Sequence, residues 1–85
     1  MTILYFAWLK EKIGKGEEQL APPADVKTLE ELVTWLAARG PGYADAFEDR
    51  DVIRAAIDQE FAEPDDLIKG AAEIAFFPPV TGGSI

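Results

Sequence analysis

Neither cysteine nor histidine occurs among the 85 residues. The first absence removes disulfides and thiol nucleophiles. The second removes the side chain that most often acts as a general base near neutral pH and as a metal ligand. Ser84 therefore has no neighbouring base to activate it. No apolar run approaches the ~20 residues of a membrane-spanning helix. No basic stretch precedes the apolar start, as a secretory signal would require, so a cytoplasmic location is expected, with no membrane partner. Basic side chains are scarce: 8 Lys and Arg stand against 16 Asp and Glu, a net charge of −8. Such a surface repels phosphate backbones, which argues against nucleic acid. It keeps a small domain soluble and steers it towards basic partners. Glycine-rich phosphate loops are missing too, and Gly14-Lys15-Gly16 reads as a turn. The carboxylates Asp45, Glu48, Asp49 and Asp51 lack the spacing and central glycine of a calcium loop. Asp65-Asp66 after Pro64 is turn chemistry rather than a catalytic dyad. No metal site, no bound cofactor and no self-sufficient catalysis are expected.

What the chain does contain is a globular composition, 48% hydrophobic and 28% charged, in a length that suits one small domain. Met1 to Leu9 is rich in β-branched and aromatic residues and predicts a strand. Ile3, Tyr5 and Ala7 fall on one face of it, Leu4, Phe6 and Trp8 on the other. Lys10 to Gly14 predicts a short helical turn, and Glu17 to Ala21 a weaker strand forming a hairpin with the first. Thr28-Leu29-Glu30-Glu31 is a capping box. It opens a helix whose Leu29, Leu32, Val33, Leu36 and Ala37 line one buried face, with Gly40 as its C-terminal cap before Pro41. Trp35 lies off that stripe, at the helix edge. Tyr43 to Phe47 predicts one helical turn or a loop. Val52 to Ile57 alternates like a half-buried strand, Asp58-Gln59 turns, and Glu60 to Ala62 is a short strand. Glu73 to Phe77 is the last strand. The outcome is an α+β fold: a mixed sheet of about five strands with one main covering helix. The two most apolar strands, first and last, are expected to be parallel neighbours at its centre. One helix covers one face, so some of Leu4, Phe6, Trp8, Ala75 and Phe77 should stay uncovered as a partner surface.

The chain ends on Phe76-Phe77-Pro78-Pro79-Val80-Thr81-Gly82-Gly83-Ser84-Ile85. Prolines cannot continue a sheet interior, and they stiffen the root of the segment. Gly82 and Gly83 add no side chain. The expected organisation is a domain over residues 1–77 and an extended tail over residues 78–85.

This ending, Glu73-Ile74-Ala75-Phe76-Phe77-Pro78-Pro79-Val80-Thr81-Gly82-Gly83, closely resembles that of the small subunits of molybdopterin synthase, sulfur carriers of ubiquitin-like β-grasp fold. Leu9-Lys10-Glu11-Lys12-Ile13-Gly14, Thr28-Leu29-Glu30-Glu31-Leu32 and Ala55-Ala56-Ile57-Asp58-Gln59 extend the likeness over nearly the whole chain. The resemblance implies a non-catalytic, sulfur-carrying subunit of a sulfurtransferase complex in molybdenum cofactor biosynthesis. An ATP-using, ubiquitin-activating-like adenylyltransferase adenylates the carboxylate of the terminal glycine, with ATP used in trans. A sulfur donor system then converts it to a thiocarboxylate. The tail, Pro78, Pro79, Val80, Thr81 and Gly82, enters the large subunit of the synthase, where Gly83 delivers sulfur to a cyclic pterin precursor. Phe76 and Phe77, with Phe6 and Trp8, are the implied docking residues. The family pattern stops at Gly-Gly, whereas here Ser84-Ile85 follow, so Gly83 becomes a carrier only in their absence, whether they are native and trimmed by a peptidase or are additions to the natural chain. The alternatives are a carrier for thiamin or cysteine synthesis, a protein modifier, or a binding module that is never activated.

Overall fold

A computed structural model describes residues 1–79. Five strands, β1 (Thr2–Tyr5), β2 (Glu17–Gln19), β3 (Arg54–Ile57), β4 (Glu60–Ala62) and β5 (Glu73–Phe77), form one sheet in the order β2-β1-β5-β3-β4. β1 and β5 are parallel neighbours in the middle, and every other pairing is antiparallel. The expected central placement of the first and last strands is what forms. Their registers, Ile3 opposite Ile74 and Tyr5 opposite Phe76, bring like faces together.

The main helix, α2 (Leu29–Ala37), starts as the capping box dictates. The Thr28 hydroxyl accepts from the Glu31 N–H at 3.1 Å, and the Glu31 carboxylate accepts from the Thr28 N–H at 3.0 Å. Leu29, Leu32, Val33 and Leu36 are its buried residues. They pack with Ile3, Tyr5, Ile74, Phe76 and Ala55 of the sheet in one core. Trp35 sits half-buried at the helix edge, with the Arg39 guanidinium 5.4 Å from its ring centre.

Several boundaries differ from the sequence expectation: β2 ends at Gln19 rather than Ala21, β3 begins at Arg54 after a 3-10 turn over Arg50–Val52, and the larger differences concern helices. The first strand stops at Tyr5, because Ala7 takes φ 56° and turns the chain. Trp8–Ile13 is then a helix, α1, which drops Leu9 fully into the core. Gly14, at φ 92°, closes it with its N–H on the Lys10 carbonyl at 2.8 Å. Aromatic residues suit strands, but the end of the sheet needs a cover, and that tertiary demand overrides propensity. Gly40 does not cap α2, whose C-terminal cap is Ala38. It precedes a third helix, α3 (Pro41–Ala46), with proline at its start, where the missing N–H costs nothing. Phe47, just past α3, is 2% exposed and stacks edge-on against Phe76. Helices α1 and α3 approach so closely that a Cβ on Gly42 would lie 2.7 Å from the Lys12 carbonyl oxygen.

A polar knot fastens this corner to β2. Glu18 shares the helix-covered face with Ile3. Its carboxylate accepts from the Tyr5 hydroxyl at 2.8 Å and the Tyr43 hydroxyl at 2.6 Å, while Lys15 and Arg39 lie 3.4 and 3.6 Å away. Burial alone would raise the Glu18 pKa. The two tyrosine hydrogen bonds and the Arg39 charge together outweigh it and hold the carboxyl below its usual range. Burial, then the Glu18 hydrogen bond and charge, push both tyrosines above theirs.

Candidate docking face and tail root

In a strand, side chains alternate between the faces, and residues opposite one another share a face. With Ile3, Tyr5, Ile74, Phe76 and Ala55 turned to α2, the other face carries Leu4, Ala75, Ala56 and Phe61 in one cross-strand row and Phe77 opposite Arg54 in the next. Among the described residues no helix of the core packs there, and the row is apolar from Leu4 to Phe61, with Glu17 at its β2 end. Phe61 is 80% exposed and makes an edge-to-face contact with Phe77 at 5.9 Å. Phe6 extends the β1–β5 ladder, its N–H on the Phe76 carbonyl at 3.1 Å, and is 47% exposed. A contiguous set of large apolar side chains on one uncovered face marks an interaction surface.

The four docking residues implied by the sequence divide. Phe6 and Phe77 reach the open face. Phe76 does not: it is 1% exposed and stacks with Tyr5 and Phe47 inside the core. The parallel register with Tyr5 assigns it to the helix side, so its role is to hold β5 in place. Trp8 has left the strand for α1, where it is half-buried against the core, beside Lys12, Asp45 and Ala46. Sequence reasoning missed Phe61. A bulky aromatic flanked by Glu60 and Ala62 in a three-residue edge strand was the available signal, since its pairing partner Ala56 leaves it nothing to hide behind.

The tail root, Pro78 and Pro79, follows Phe77. β5 is central, and its last residue, Phe77, is on the open side. Pro78 is half-buried and Pro79 exposed. Pro79 and Phe77 also border a cleft between the start of α2 and the β3–β4 edge, floored by Leu29, Val33 and Ala55. The sequence expectations for Val80, Thr81, Gly82, Gly83 and Ser84-Ile85 lie outside the described residues. Three of the six acidic side chains set aside in the sequence have local tasks. Asp45 pairs with Lys12 at 3.0 Å, Asp49 caps the 3-10 turn Arg50–Val52, and Asp66 accepts from the Glu63 N–H at 2.7 Å.

A mixed five-stranded sheet with its two terminal strands parallel at the centre and a long helix across one face defines the ubiquitin-like β-grasp class. Residues 3–83 match the ThiS family, and the chain belongs to that family. It is 38% identical to the molybdopterin synthase sulfur carrier subunit of Escherichia coli (strain K12), over 98% of this chain and 99% of that one. It is 39% identical to the same subunit of Haemophilus influenzae, with the same coverage. Among solved structures, SAMP1 from Haloferax volcanii superposes with a TM-score of 0.71 at 26% identity, covering 98% of each chain. Among the described residues no helix is long and apolar enough to cross a membrane.

Proposed function

We propose that the chain is the sulfur carrier and small subunit of a molybdopterin synthase, with Gly83 as the residue that carries sulfur. The observation that supports this reading best is full-length similarity to proteins named as that subunit, in a chain whose Gly82-Gly83 follows two prolines. Mechanistically, the domain is a handle. The open sheet face docks on the large subunit, and Phe6, Phe61 and Phe77 supply its apolar contact. Pro78 and Pro79 hold the root extended, and the glycines pass a channel too narrow for a Cβ.

The chemistry at Gly83 is assembled in trans. A free carboxylate is a poor electrophile. An adenylyltransferase joins it to the α-phosphate of ATP and releases pyrophosphate. A donor of sulfide-level sulfur then displaces AMP and leaves a thiocarboxylate; the large subunit directs its sulfur onto the cyclic pterin precursor, and water returns the Gly83 acyl group to a carboxylate. Because the group to be activated is a main-chain carboxylate and the acid–base groups belong to the partners, a chain without Cys or His suffices. Removal of Ser84-Ile85 precedes activation, since the Gly83 carbonyl is otherwise an amide. The compartment is the cytoplasm, where ATP and these enzymes meet. Incubation of a chain ending at Gly83 with adenylyltransferase, ATP and a sulfur donor should exchange one oxygen for sulfur in the intact mass. No exchange would refute the reading.

A further inference from the structure

We infer that Arg54 is a specificity-determining residue of the open face, and that the surface it meets presents an aspartate or glutamate carboxylate bordered by apolar side chains. The inference rests on the proposed docking of a large subunit and adds the chemistry of one contact. In a chain of net charge −8, bulk electrostatics favours a basic partner. Arg54 runs against that trend at a particular place. It stands directly opposite Phe77 in the β3–β5 register, so it shares the open face with the last residue before the tail. Other charges on that face, Glu17 and Glu73, lie on other rows, opposite Leu4 and Thr2.

The side chain is also held. Its Nη1 donates to the Asp51 carbonyl at 2.8 Å and to the Ile53 carbonyl at 3.2 Å. These two bonds order the guanidinium before any partner arrives, which lowers the entropy lost on docking. They use one nitrogen. Among the described residues Arg54 forms no ion pair, and Nη2 and Nε keep their N–H groups for an external acceptor. A docking face that buried this cation without an anion would pay a desolvation penalty beside Phe77. A carboxylate matches the planar guanidinium fork with two parallel hydrogen bonds. The pair would fix the rotation of the domain at the mouth of the channel that receives the tail.

The two electrostatic effects predict opposite signs, which makes the test sharp. Affinity of the large subunit for the chain ending at Gly83, and for its Arg54→Gln and Arg54→Glu variants, is measured by calorimetry at low and high salt. A thermal melt checks that each variant is folded. The inference predicts about tenfold or greater weakening by Arg54→Glu, a smaller loss with Arg54→Gln, and a penalty that shrinks as salt rises. Changing the facing carboxylate to lysine should restore binding to Arg54→Glu. If bulk charge alone governs docking, Arg54→Glu binds as well as or better than the parent, and the inference is wrong. If Arg54→Glu is unfolded, Arg54→Gln decides by the same criterion. Failure of the parent chain ending at Gly83 to bind would instead refute the docking proposal on which this contact depends.

Discussion

Phe61 offers the cleanest separation of folding from docking. A phenylalanine side chain presents roughly 200 Å² of surface. Four-fifths of Phe61 faces water in the free domain, so covering it removes about 150 Å². At ~25 cal/mol per Å² that is worth about 4 kcal/mol. Ordering and imperfect polar pairing consume part of any such gain, so a loss of about 2–3 kcal/mol is expected for Phe61→Ala. That corresponds to roughly 30- to 150-fold in the dissociation constant. The same change should hardly affect the fold, since among the described residues the side chain's one aromatic contact is with Phe77, worth about 1 kcal/mol. Titration calorimetry against a large subunit, beside urea melts, measures both quantities. Phe61→Asp should bind more weakly still and melt almost as the parent does. Affinity within twofold of the parent for both variants would show that the open face is not the docking face. A large loss of stability would show that Phe61 is not solvent-exposed.

Other outcomes concern the scaffold. Thr28→Ala removes the hydroxyl that caps α2 and should cost about 1 kcal/mol in urea melts. Leu32→Ala empties a fully buried site under the sheet and should cost roughly 2–5 kcal/mol; a neutral result there would contradict a core built on this helix. For Glu18, the folded carboxyl holds its proton less tightly than the unfolded one, because its depressed pKa favours the charged form. Its stabilisation is therefore complete above the ordinary glutamate range and disappears as pH falls through the lower folded value. The stability difference between the parent and Glu18→Gln, followed by thermal melts, should be present at neutral pH and shrink in acid; a difference independent of pH would count against the charge being what matters.

Much of this fold could be read from local pattern. Glu60 to Ala62 and Glu73 to Phe77 form strands with the expected limits, and the capping box at Thr28 starts its helix as its four residues imply. Each of these signals is carried by neighbours in sequence. What failed was decided by contacts distant in sequence. Trp8 looks like a strand residue until the sheet's end has to be covered by α1. Gly40 looks like a cap for α2 until Pro41–Ala46 forms another helix, packed at Gly42 against Lys12 of α1. The site was partly legible for the same reason. Alternation says that either Phe76 or Phe77 faces the helix, but only the parallel pairing of Tyr5 with Phe76 decides which. Phe61 was missed because exposure of one side chain on a short edge strand depends on how small its partner Ala56 is and on what the other face leaves bare.

The central claim is that Gly83, and no later residue, carries sulfur. A site shaped for a side-chain-free tail would find the Ile85 carboxylate two residues too far along and attached to a branched side chain. Even ~1 Å of misplacement can cost on the order of a hundredfold in rate. The decisive measurement is intact mass after parallel incubation of the 85-residue chain and a chain ending at Gly83 with the same adenylyltransferase, ATP and sulfur donor. The account predicts exchange of one oxygen for sulfur in the chain ending at Gly83 alone, weakened by Gly83→Ala. Sulfur gained by the longer chain with Ser84 and Ile85 still attached would contradict it.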